Sequence, residues 1–122
     1  MNEKQKKFES YLDEQIAACK KRSELLVEDG RKDEGNFEKV RANVYEIFKT
    51  VLSVAEKLCG KDDLAKKKFF LQRLEQIPMS WTASYDKSKT NGDVEKMHIE
   101  TIKLDTIEEI KNMFMQIEEE AI

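Results

Sequence analysis

The fold is decided by a short polar stretch, Asp29-Gly30-Arg31-Lys32-Asp33, which separates two long apolar patterns. Glycine commonly stands just after the end of a helix. An aspartate at a helix start accepts hydrogen bonds from free backbone N–H groups, and we expect Asp33 to do so. The stretch therefore predicts a helix over residues 3–28, a turn, and a second helix from about Asp33 to Gly60. Helices joined by about four residues lie antiparallel.

Both segments carry apolar residues on one face at helical spacing, which predicts that the two helices pack through these faces. The first stripe is Phe8, Leu12, Ile16, Cys19 and Leu26, and the second is Phe37, Val40, Val44, Ile47 and Val51.

Three further helices are expected downstream. Asp62 or Asp63 is placed to cap the third, and Pro78 ends it because proline disfavours helical geometry in the residue before it. Ser80 then caps a short fourth helix that bears Trp81 and ends at the polar run 87–92.

The last helix is expected to run from Asp93 toward Glu119. Asp105 followed by Glu108 resembles a capping pair and offers a break as the alternative. The apolar positions stay in register through that point, which favours an unbroken helix. These positions are Ile99, Ile102, Thr106, Ile110, Met113 and Ile117.

These patterns predict a single all-α domain over residues 1–122, a bundle of four to five helices that begins with a long antiparallel hairpin. The alternative is a pair of repeat-like helical hairpins, because a shift of 62 residues aligns Gly30 with Gly92. Trp81 and Gly92 also stand about as far apart as the tryptophan and turn glycine of a tetratricopeptide hairpin. The segment resembles that motif in these two positions, while Ser84-Tyr85 and Met97 depart from it.

Composition narrows the function classes. Charged residues make up 39% of the chain, yet the net charge is only −3, which is typical of solvated helices rather than of disorder. The first residues are charged, without the apolar core of a signal peptide, and apolar runs are too short to cross a bilayer. We therefore expect a cytoplasmic protein without membrane contact, and the abundance of Lys, Glu and Ile is typical of a bacterium with an AT-rich genome.

No motif for catalysis, cofactor binding or metal binding is found, so we predict a non-enzymatic protein without a cofactor or metal site. His98 is the only histidine, which excludes metal sites that need two. Cys19 and Cys59 are expected about 20 Å apart along the hairpin, too far for a disulfide. An enzyme or small-ligand binder with a pocket near His98 and Trp81 remains an alternative.

Charge is unevenly distributed along the chain. Residues 57–73 carry six basic against two acidic side chains, whereas residues 93–122 carry nine acidic against three basic ones. A nucleic-acid accessory protein that uses the basic third helix is an alternative function, disfavoured because the pI is about 5.4. Its basic patch would comprise Lys61, Lys66, Lys67, Lys68 and Arg73.

The leading hypothesis is an interaction module that binds itself or another protein through the last helix and the Trp81 helix. Aromatic residues are frequent interface anchors, and wide apolar helix faces commonly close as two-fold dimers. The candidate interaction residues are Trp81, Tyr85, Leu104, Ile107 and Phe114.

Overall fold

Five α-helices account for most of residues 1–120, the part of the chain that this computed structural model describes, and these residues form no strand. The helices are α1 (Glu3–Glu28), α2 (Lys32–Cys59), α3 (Asp63–Gln76), α4 (Pro78–Asn91) and α5 (Val94–Glu119). The predicted all-α bundle is confirmed. No helix in this part of the chain is long and apolar enough to span a membrane.

The long antiparallel hairpin of α1 and α2 is also confirmed. Gly30 has a positive φ of 76°, a conformation that glycine adopts without the strain of a side chain. Lys49 on α2 reaches Asp13 on α1 at 2.6 Å, and Arg22 reaches Glu38 at 3.1 Å. These partners run in opposite directions along the two helices, as an antiparallel hairpin requires.

The predicted cap of α2 is wrong. The helix begins one residue earlier, at Lys32, with Arg31 in the cap position and no side-chain capping bond. Asp33 lies inside the first turn, where its negative charge is favourable near the positive end of the helix dipole.

The predicted boundary between α3 and α4 is partly wrong. Asp62 caps α3 by accepting a hydrogen bond from the Ala65 N–H at 3.0 Å, as expected. Ile77, however, is helical, with φ −60° and ψ −44°, and Pro78 is the first residue of α4 rather than a terminator. Proline is tolerated there because an N–H in the first turn would have no helical partner. Ser80 therefore lies within the helix, and its hydroxyl donates to the Ile77 carbonyl at 3.3 Å.

The fourth helix is also longer than predicted, since α4 continues through the polar run to Asn91. Gly92 then adopts a left-handed conformation, and Asp93 caps α5 by accepting from the Lys96 N–H at 3.1 Å. The last helix continues past Asp105 without interruption, so the unbroken interpretation is confirmed. The fold thus contains two hairpins, α1–α2 and α4–α5, connected by α3, while a repeat relationship between them stays a prediction.

The core is built around an aromatic cluster to which four helices contribute. Phe8, Phe48, Phe70 and Phe114 lie on α1, α2, α3 and α5, and each is at most 5% exposed. The Phe70 and Phe114 rings stack at 4.5 Å between centroids, and Phe8 packs edge-on against both at 5.2 Å. The cluster therefore ties α5 to the first three helices.

Candidate functional site

A polar-rimmed groove that involves two of the predicted interaction residues, Leu104 and Ile107, lies where α3 passes into α4, alongside α5. We call it the junction groove; its volume is about 290 Å³. Its wall on one side comes from α3 and α4, and its wall on the other side comes from α5. It is lined by Leu74, Glu75, Pro78, Thr82, Leu104, Ile107, Glu108 and Lys111.

The chain places these walls through two local features. The helical Ile77 and the proline at the first position of α4 let α4 begin directly after α3, without a loop. The turn at Gly92 and the Asp93 cap then return α5 alongside α4. The groove is the space left where α5 passes the junction.

The groove has an apolar floor and a charged rim. Leu74 and Ile107 are 5% and 7% exposed, and Leu104 is half-buried beside them. At the rim, the Lys111 ammonium lies 3.5 Å from a carboxylate oxygen of Glu75; the Glu75 side chain is well exposed, and that of Lys111 is about half exposed. Such a surface can hold an apolar side chain and select among charged neighbours, as the centres and rims of protein interfaces do.

A hydrogen bond between α2 and α5 helps to fix the position of α5. The Tyr45 hydroxyl is buried and donates to Glu109 at 2.9 Å. Burial, reinforced by this bond to a carboxylate, raises the pKa of Tyr45 far above its usual value. The pKa of neighbouring Tyr11 is raised as well, mainly by burial. Tyr45 therefore acts as a neutral donor that joins the two helices.

The five predicted interaction residues separate into two groups. Ile107 and Phe114 belong to the hydrophobic core, so they mainly stabilise the fold, although Ile107 also forms part of the groove floor. Leu104 lines the junction groove. Trp81 and Tyr85 are half-buried on α4, and the Lys103 ammonium lies 5.7 Å from the centre of the Trp81 ring. The accessible part of the predicted surface is thus smaller than the sequence indicated.

The predicted basic patch does not form one continuous basic surface. Lys66 is only 6% exposed, and its ammonium lies 2.8 Å from Glu56 on α2, which raises the pKa of Lys66 and lowers that of Glu56. Arg73 lies over the Phe69 ring, 4.8 Å from its centre. The remaining members are exposed or half-buried on the outside: Lys61, Lys67 and Lys68.

The structure gives His98 and Trp81 different neighbours. His98 is exposed and its ring lies edge-on to Phe37 of α2, with 4.5 Å between ring centres. Trp81 instead packs on α5 near Lys103. Residues 1–120 contain no group of three His, Cys, Asp or Glu side chains arranged to hold a metal ion. Both cysteines are free thiols, with Cys19 fully buried.

Several groove residues were missed in the sequence. Leu74, Glu75 and Lys111 were not among the predicted site residues, and Glu108 was considered as part of a capping pair and of the acidic last segment. The sequence of α5 does carry a signal, because Glu108 and Lys111 stand between two apolar residues, Leu104 and Met115, at helical spacing. Glu100 was missed too: it is 4% exposed, and one carboxylate oxygen has no hydrogen-bond partner among the described residues.

Comparisons with known proteins returned no match: no protein-family model fits the chain, and neither curated proteins nor solved structures show significant similarity to it.

Proposed function

We propose that this protein is a non-enzymatic helical interaction module that binds a second copy of itself through α5 and the junction groove. The observation that carries the proposal is the groove itself, an apolar floor under a charged rim beside α5. An apolar centre bordered by polar and charged groups is the arrangement found in protein–protein interfaces. Trp81 and Tyr85, which are half-buried on α4, would extend the contact along that helix.

A second copy is favoured as occupant because the groove rim contains both charge signs. Glu75, Glu108 and Lys111 allow two copies related by a two-fold axis to oppose unlike charges. A strongly basic or strongly acidic partner would leave one sign of the rim opposed by a like charge. The proposal also assigns the protein to the cytoplasm of a bacterial cell, where Cys19 and Cys59 would stay reduced.

The test is light scattering coupled to size-exclusion chromatography over a wide range of protein concentrations. We expect the wild type to approach twice the monomer mass of 14.3 kDa at high concentration. Leu104→Glu would place a charge on the groove wall and should return the protein to monomer. Leu64→Glu is the matched control, because Leu64 is 62% exposed on α3 and does not line the groove.

Circular dichroism checks that each variant keeps its helices, and Leu104→Ser provides a milder second variant. A wild type that stays monomeric at the highest concentration would refute self-association. A dimer that Leu104→Glu leaves intact would instead refute the assignment of the interface to the junction groove.

Nucleic-acid binding is the alternative that the same preparation can test. Lys66 is held by Glu56, so phosphate contacts would depend mainly on Lys61, Lys67 and Lys68. Binding that falls steeply with salt would support this alternative, since phosphate contacts release counterions.

A further inference from the structure

A self-complementary pattern lies along the flank of α5, at the edge of the bundle. Leu104, Glu108, Lys111 and Met115 are spaced by four, three and four residues, which keeps them within about 60° around the helix axis. Glu108 is exposed, and the other three are half-buried, with Met115 also packed against the hydrophobic core. We call these four residues the α5 stripe. It is about 16 Å long at 1.5 Å per residue.

The stripe has the same spacing in both directions. Its centre lies between Glu109 and Ile110, so a reversal exchanges Leu104 with Met115 and Glu108 with Lys111. The exchange matches an apolar residue with an apolar residue and an acidic residue with a basic one. A two-fold axis requires this relation, because residue i on one copy then contacts residue j on the other, and j contacts i.

We propose that two copies associate through antiparallel contact of their α5 stripes, about a two-fold axis that crosses α5 between residues 109 and 110. This geometry rests on the proposed function and specifies its interface. Leu104 lies opposite the partner's Met115, and Glu108 lies opposite the partner's Lys111. The two-fold axis repeats both contacts, which gives two apolar pairs and two ion pairs.

The alternative orientation is disfavoured by charge. In a parallel pair of α5 helices, Glu108 would oppose the partner's Glu108, and Lys111 would oppose the partner's Lys111. Like charges in such contacts suppress the wrong arrangement. Lys111 also has capacity for a second acceptor, because an ammonium has three donors and its Glu75 contact is exposed.

The groove wall of α3 and α4 adds apolar contact beyond the stripe. Leu74 and Pro78 border the same groove as Leu104 and Glu108. A neighbouring helix that lies on the stripe at the usual interaxial distance of about 8–10 Å would pass beside this wall. Because the stripe is short, the association is expected to be weak, so that the dimer forms only at high protein concentration.

Charge exchange tests the orientation directly. Glu108→Lys and Lys111→Glu are made separately, and association is measured by sedimentation velocity at low salt. Each variant alone would oppose like charges at both ends of its own dimer, and we expect its dissociation constant to rise by about tenfold or more. An equimolar mixture of the two variants would oppose unlike charges again and should recover association, as should the double variant E108K/K111E.

Matched controls are Lys21→Glu and Glu24→Lys, which make the same charge changes at exposed positions of α1. These variants should associate like the wild type, alone and mixed. Raising the salt concentration should reduce the difference between each single variant and the mixture, because exposed charges are screened.

The outcomes separate this geometry from the proposed function. Recovery in the mixture supports the antiparallel contact. If both single variants lose association and their mixture does not recover it, the two-fold antiparallel arrangement is overturned. If Leu104→Glu still dissociates the dimer in that case, the interface remains at the groove. Single variants that associate like the wild type remove the α5 stripe from the interface. A peptide or another protein bound to a monomeric wild type would refute both proposals.

Discussion

Truncation of Phe114 tests whether α5 is held by the aromatic core or kept open for a partner. Its ring is 5% exposed, stacks on Phe70 at 4.5 Å and meets the edge of Phe8 at 5.2 Å. Phe114→Ala removes both contacts and leaves a cavity between three helices. Substitutions of this kind cost about 3–5 kcal/mol, through lost burial and the residual cavity.

That magnitude is large against the stability of a domain of this size. At about 0.05–0.15 kcal/mol per residue, the whole chain is expected to unfold with about 6–18 kcal/mol. An unfolding entropy of about 2.1 cal/mol/K per residue converts a loss of 4 kcal/mol into a fall in melting temperature of about 15 °C.

Urea and thermal unfolding followed by circular dichroism measure the effect, with all proteins at one low concentration so that association contributes equally. Leu104→Ala is the comparison, since Leu104 is half-buried in the junction groove and its truncation should cost about 1 kcal/mol. If Phe114→Ala cost no more than Leu104→Ala, the assignment of Phe114 to the core would be refuted. The wide apolar face of α5 would then have to be open to a partner.

Three further predictions concern the helices that hold α5 in place. Tyr45→Phe loses the hydrogen bond to the α5 carboxylate and should cost about 1–3 kcal/mol near pH 7. Because the folded-state pKa of Tyr45 is raised, the unfolded chain loses this proton first as the pH rises above about 10, and the stability of the wild type falls there. The difference in unfolding free energy between the wild type and Tyr45→Phe should therefore shrink with rising pH in a series of urea titrations. Gly35→Ala should destabilise the protein by about 1–3 kcal/mol, because an added Cβ would lie 3.1 Å from the Ser23 carbonyl oxygen. Helix propensity alone predicts the opposite, a gain of about 1 kcal/mol, so a variant that is more stable in thermal unfolding would contradict this packing. In a thiol-labelling assay without denaturant, Cys59 should react first, since Cys19 is fully buried and burial raises its pKa; equal rates would contradict its burial.

Much of the fold was predictable because its signals are local. The turn at Gly30 and the cap at Asp62 each act within a few residues, and both lie where the sequence indicated. The junction at Pro78 was mispredicted for an equally local reason. Two preferences compete there: proline restrains the residue before it, yet is well suited to the first turn of a helix. At Ile77 the second preference prevails.

The candidate site was less predictable because it depends on which helices meet. A wide apolar sector on α5 was visible, but its division between core and surface depends on neighbours distant in the chain. Phe114 is buried because α1 and α3 supply Phe8 and Phe70. Lys66 is withdrawn from the surface because α2 presents Glu56 to it. Neither pairing follows from the spacing of residues within one helix.

The net charge of a helix is a poor guide to its contacts in this fold. The basic helix α3 and the acidic helix α5 would be expected to attract each other through their prevailing charges. Yet the ion pair that joins them has the opposite charges, because α3 supplies the acidic Glu75 and α5 supplies the basic Lys111. Since Lys66 on α3 is occupied by α2, the prevailing charges of both helices remain largely on their outer sides. The proposed recognition at α5 therefore depends on individual residues, and in that proposal Glu108 and Lys111 act through their order along the stripe rather than through the overall charge of the helix.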